Sequence, residues 1–270
     1  MTIWANGNTA IGNTLYFPAD DGTNGRELWK SDGTGAGTVM VKNINSSGDA
    51  FFGYSLIQSS GNTLYFVAED GTNGRELWKS DGTSSGTVMV KNINSSGDAF
   101  FGYSSIQSSG NTLYFVAEDG TNGRELWKSD GTSSGTVMVK NINSSGNGLN
   151  PYDLLTFFGN NVYFPADDGT NGFEVWKSDG TASGTEMVEN IGPGSTSGMV
   201  EGYVPRGHVG IVGNTVYFVA DDGTNGRELW TLSGGSGSGS TTNVTGATCS
   251  ISPSLPTGLS IDSSTCTISG

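Results

Sequence analysis

Cysteine, histidine, proline and positive charge are all scarce in this chain of 270 residues. The two cysteines, Cys249 and Cys266, both fall in the C-terminal tail, and the one histidine, His208, stands in an irregular stretch with no nucleophile motif around it. Twelve basic side chains face 26 acidic ones, for a formal net charge of -14. An acidic surface repels phosphate, so nucleic acid and anionic membrane surfaces are excluded as partners. No hydrophobic run approaches the ~20 residues that a membrane-spanning helix requires, so membrane insertion is not expected. Met1 to Asn6 carry neither the charged nor the apolar region of a signal peptide. The expectation is a piece of a longer exported protein whose leader is not visible.

What the chain does have is glycine, 44 residues of it, and 10% aromatics, which concentrate apolar area in Tyr, Phe and Trp. It also repeats. Trp29, Trp78, Trp127 and Trp176 are each 49 residues apart, and Trp230 follows after 54. Segments 46 to 94 and 95 to 143 differ only in that Leu56 becomes Ser105. Two such units must sit in nearly equivalent surroundings, which a ring or a stack provides.

One unit reads as strands throughout: Tyr54 to Gln58, Asn62 to Glu69, Arg75 to Ser80 and Thr87 to Ile93, rich in aromatic and β-branched residues. Turn-forming stretches at Asp70 to Gly74 and Asp81 to Gly86 separate them. No helical period appears. Four short antiparallel strands per repeat is the size of a propeller blade, whereas solenoid coils are usually shorter. The predicted fold is therefore all-β: a five-bladed β-propeller of four-stranded antiparallel blades over residues 1–232. A Gly/Ser linker over 233–242 and a short β segment over 243–270 follow. Because the fifth unit dissolves into Gly and Ser after Leu232, Thr2 to Asn6 is expected to supply its missing strand. That pairing would close the ring and remove exposed edges.

Glu27 to Thr34, Glu76 to Thr83 and Glu125 to Thr132 all read ELWKSDGT. On these phrases the chain resembles the ELWxxDGT repeat proteins, β-propeller-like repeats of microbial surface or secreted proteins. The resemblance covers nearly all of the first 230 residues. Unit four departs from it with Phe173 and Val175, and unit five lacks the second DGT. The tail, Leu255 to Ile261 and Cys266 to Gly270, resembles the opening of an immunoglobulin-like module, of which a complete copy needs roughly 100 residues.

The most repeated polar group is Asp-Gly-Thr-Asn-Gly-x-Glu. It occurs at Asp21/Asn24/Glu27, Asp70/Asn73/Glu76, Asp119/Asn122/Glu125, Asp168/Asn171/Glu174 and Asp222/Asn225/Glu228. Oxygen ligands at short spacing in a Gly-rich loop suit calcium, the one candidate cofactor. Asp and Asn in a hairpin turn also satisfy backbone amides without a metal, and the spacing is not that of an EF-hand. The second loop, at Asp32, Asp81, Asp130 and Asp179, reads as a structural turn. Phe52 and Tyr54, with their repeats Phe101 and Tyr103, form either a ligand wall or inter-blade core. Cys249 and Cys266 either bridge, as an exported chain allows, or remain thiols.

Catalysis is not expected. Identical blades place carboxylates in symmetric positions, whereas acid–base chemistry needs two acids in different environments. Repetition suits multivalent binding, so the expected function is an extracellular or cell-surface adhesion module for glycans or surface polymers. The sequons at Asn45, Asn94, Asn143 and Asn243 fit that exterior setting. The alternative is a structural spacer or assembly subunit that joins other copies of itself, the C-terminal β segment pairing with a neighbour.

Overall fold

The structure is a computed structural model that describes residues 2–3, 7–53, 56–102, 106–199, 210–233, 241–243, 260–262 and 267–269. Their regular elements are all strands. The first sheet contains Thr9–Ile11, Thr14–Asp20, Arg26–Ser31 and Val39–Lys42. The second holds Gln58–Ser60, Thr63–Ala68, Glu76–Ser80 and Val88–Lys91, and the third Gln107–Ser109, Thr112–Glu118, Arg124–Ser129 and Val137–Lys140. Thr156–Phe158, Asn161–Asp167, Phe173–Ser178 and Glu186–Glu189 make the fourth. Gly210–Val212, Thr215–Asp221, Arg227–Ser233 and Thr241–Asn243 make the fifth. Each is an antiparallel meander, and the five are the blades of a β-propeller.

The first strand of each blade is short and lies later than the aromatic pattern suggests: Gln58–Ser60, where Tyr54 to Gln58 is expected. A two-residue Gly-Asn hairpin sets its register. Gly61 takes φ 57, and the repeats Gly12, Gly110, Gly159 and Gly213 take φ 58, 58, 60 and 60. Positive φ at the first turn position costs glycine nothing and gives the hairpin a twist that matches its strands. Between the third and fourth strands the register shifts by a bulge, at Leu28/Trp29, Leu77/Trp78, Leu126/Trp127 and Val175/Trp176. Such bulges bend and twist the outer strand.

The cores lie between blades. Side chains alternate along a strand, so each Leu of the ELW phrase faces the following blade and each Trp faces the preceding one. Leu28, Tyr16 and Val41 of the first blade pack with Leu64, Phe66, Ala68 and Trp78 of the second. Ile44, Ala50 and Phe51 of the connecting segment fill the same core, where the Phe51 and Phe66 rings stack at 5.2 Å. Equivalent cores join the second blade to the third, the third to the fourth and the fourth to the fifth. Among the described residues none joins the fifth to the first.

Two expectations about the ends need correction. Thr2–Ile3 does not complete the fifth blade; it pairs antiparallel with the first, Thr2 opposite Asp20 and Ile3 opposite Ala19. It takes the place that the incoming connector occupies in later blades, where Glu69 N donates to Ala50 O and Met199 bridges Ala220. The fourth strand of the fifth blade instead comes from beyond the Gly/Ser run, with Trp230 opposite Asn243. That blade therefore extends past the expected boundary at 232. Ser260–Asp262 and Thr267–Ser269 form a separate two-stranded sheet.

Candidate functional site

The Asp-Gly-Thr-Asn-Gly loops are hydrogen-bonded turns. Asp21 Oδ1 accepts from Thr23 N and Asn24 N at 2.9 Å, and its Oδ2 accepts from Asn24 Nδ2 at 2.7 Å. Asp70, Asp119, Asp168 and Asp222 repeat the pattern with Asn73, Asn122, Asn171 and Asn225. The Asn24 N–H, then its side-chain amide, then the Thr23 N–H hold the Asp21 carboxyl below its ordinary range. Asn24 Oδ1 in turn accepts from Asn43 Nδ2 at 3.0 Å.

The glutamates do not join these loops. Glu27 is fully buried, and its two oxygens accept from Ile44 N at 2.7 Å and Asn45 N at 3.0 Å. Glu76 and Glu125 hold Ile93/Asn94 and Ile142/Asn143 in the same way, and Glu174 holds Ile191, Gly192 and Gly198. Each carboxylate thus pins the irregular segment that leads into the next blade. Burial outweighs those N–H bonds and pushes Glu27, Glu76 and Glu125 up to about 7. Glu228 is only half-buried. The Asp, Asn and Glu of one unit are therefore not gathered around a point, and no group of three His, Cys, Asp or Glu able to hold a metal occurs among the described residues.

The second loop is a turn as well. Asp32 Oδ1 accepts from Thr34 N at 2.9 Å and Thr34 Oγ1 at 2.7 Å, and Thr34 Oγ1 accepts from Gly37 N at 2.9 Å. It also receives the neighbouring blade. Lys30, Lys79 and Lys128 donate to Gly82 O, Gly131 O and Gly180 O at 2.8, 2.9 and 2.8 Å.

The aromatic stretch divides. Phe51 and Phe100 are buried in the inter-blade cores, while Phe52 and Phe101, one residue on, are half-buried. The Arg75 guanidinium lies over the Phe52 ring, 4.8 Å from its centroid, and is 3.8 Å from Asp98. Arg124 lies over Phe101 at 5.9 Å; its backbone N–H donates to Asn147 Oδ1 at 3.0 Å and its Nε to Leu149 O at 3.4 Å. In the first blade Arg26 pairs with Asp49 at 3.1 Å. An aromatic ring, a planar guanidinium and a side-chain oxygen thus meet in two consecutive units. The sequence singles out the rings; the recurrence of the arginines 23 residues before Asp49 and Asp98 is the signal that adds them. Tyr54, Tyr103, Cys249, Cys266 and His208 lie outside the described residues.

No helix of the described residues is long and apolar enough to cross a membrane. No family model matches the chain, and no curated protein matches it. Among solved structures it is similar to TolB from Acinetobacter baumannii, at 13% identity and a TM-score of 0.43 over 82% of this chain and 49% of that one. It is also similar to prolyl oligopeptidase B from Galerina marginata, at 12% identity and 0.46, over 86% of this chain and 35% of that one. A puromycin hydrolase aligns at 14% identity and 0.44, over 86% and 37%. The chain thus spans about half the length of the first of these proteins and about a third of the other two.

Proposed function

We propose that the chain is a non-enzymatic binding module of an extracellular or cell-surface protein, and that it recognises carbohydrate at repeated sites. The observation that carries this reading is the pair of ring-and-guanidinium platforms, Phe52 with Arg75 and Asp98, and Phe101 with Arg124 and Asn147. An aromatic face packs on the apolar side of a sugar ring, while a guanidinium and a neighbouring oxygen exchange hydrogen bonds with vicinal hydroxyls. Two linked weak sites gain affinity by avidity when the ligand is a polymer. Among the described residues two such platforms occur, in consecutive units.

A glycan-array assay of the full chain, with calcium and with a chelator, tests the reading. Binding to a coherent set of sugars, lost in the Phe52→Ala/Phe101→Ala double variant and retained in chelator, is the expected result. Retention is expected because the loop aspartates already hold N–H donors. No binding in either buffer would remove the proposal. The second reading, a spacer or assembly unit, is supported by the separate hairpin of Ser260–Asp262 and Thr267–Ser269, whose strands pair only with each other among the described residues.

A further inference from the structure

Four internal interfaces show what each blade offers its neighbours, and the two outermost blades each keep one of those surfaces unused. Leu64, Leu113, Val162 and Val216 are buried against the preceding blade, whereas Leu15, at the same register position, is 42% exposed. On the opposite side Leu28, Leu77, Leu126 and Val175 are buried against the following blade, while Leu229 is 41% exposed. The loops agree. A side chain at Gly71 would run into Asn45 Oδ1 and Ser47 Oγ of the preceding connector, both 2.8 Å away, and one at Gly82, Gly131 or Gly180 would strike the hydroxyl of Tyr16, Tyr65 or Tyr114. At Gly22 and Gly33 of the first blade it would meet nothing within 4 Å.

We infer that these two surfaces bind each other between copies of this chain, the Leu229 face of one seating on the Leu15 face of the next. The interface is continuous in kind with the four inside the chain, in which a Leu, Val or Tyr from one blade enters the Leu/Phe/Trp face of another. Thr2–Ile3 already supplies the strand that elsewhere arrives with the connector, and Phe17 and Ala19 are covered, so only the side-chain face around Leu15 and half-buried Trp29 is left to fill. The lysines that reach across the first three interfaces are not required. The fourth forms with Glu189 where the others have Lys42, Lys91 and Lys140, and Lys177 turns to Glu186 at 3.0 Å.

Such contacts are heterologous, so they propagate into a closed ring or an open filament. They are independent of the sugar platforms. Sedimentation equilibrium of the full chain over a concentration series tests the inference, with Leu15→Asp and Leu229→Asp as variants. Because both leucines are exposed, each variant keeps its fold, checked by circular dichroism, and Leu15→Ser and Leu229→Ser serve as milder replacements. The wild type is expected to gain mass with concentration, and each single variant to remain at the mass of one chain. An equimolar mixture of the two variants should give a two-chain species that grows no further, since one intact pair of faces remains. Wild type at single-chain mass throughout, a single variant that still associates, or a mixture that does not, would each overturn the inference.

Discussion

Leu77 and Leu229 stand in the same ELW phrase, on the same strand, each opposite a valine, yet one is fully buried and the other 41% exposed. Their local sequences are nearly identical, so local sequence cannot account for the difference; having a following blade does. The same holds for Glu76, fully buried beneath Ile93 and Asn94, and half-buried Glu228. Stability in this fold therefore lies between blades, as in other repeat architectures, and each blade depends on its neighbour.

The sharpest way to break the comparison is to truncate both leucines. Leu77→Ala opens a cavity in the core shared by the second and third blades and is expected to cost about 2–5 kcal/mol in urea unfolding. Leu229→Ala in dilute protein is expected to stay within about 0.5 kcal/mol of wild type. Removing the carboxylate comes next. Glu76→Ala leaves two buried N–H groups without an acceptor, at about 1–3 kcal/mol for each in the same assay.

Proton linkage sharpens the contrast further. The folded chain holds Glu27, Glu76 and Glu125 at about 7, against an ordinary 4.5, so it binds more protons than the unfolded chain between those values. Their contribution is complete below about 4.5 and is lost as pH rises through 7. Melting temperature is expected to fall from pH 5 to pH 7.5, with Glu76→Gln flattening the slope. The turn aspartates, held below their ordinary 3.8, act only at more acidic pH. Lys79→Met, which removes the donor to Gly131 O, is expected to cost about 1.5 kcal/mol.

The blades were legible because alternation and turn chemistry are local: the runs around Leu64 to Ala68 and Glu76 to Ser80 could only be strands. The 49-residue period gave their number. The first strand was misplaced because Gln58, Ser59 and Ser60 have weak strand propensity, and the Gly61-Asn62 turn that fixes them was passed over. The ends were misread for a different reason. Thr2–Ile3 resembles an outer strand in composition, but its pairing is chosen by the vacant connector position beside Ala19, which no local pattern reveals. The platforms were half legible: Phe52 and Phe101 stood out, while their arginines lie 23 residues downstream and meet them only in the fold.

The most direct test of the account is hydrogen–deuterium exchange of the full chain at a concentration where it is a single copy. Amides of Glu76–Ser80 and Arg124–Ser129, flanked by blades on both sides, are expected to exchange far more slowly than those of Arg227–Leu232, which have a blade on one side only. Equal protection of all three strands would contradict the claim that the fifth blade ends in an uncovered face.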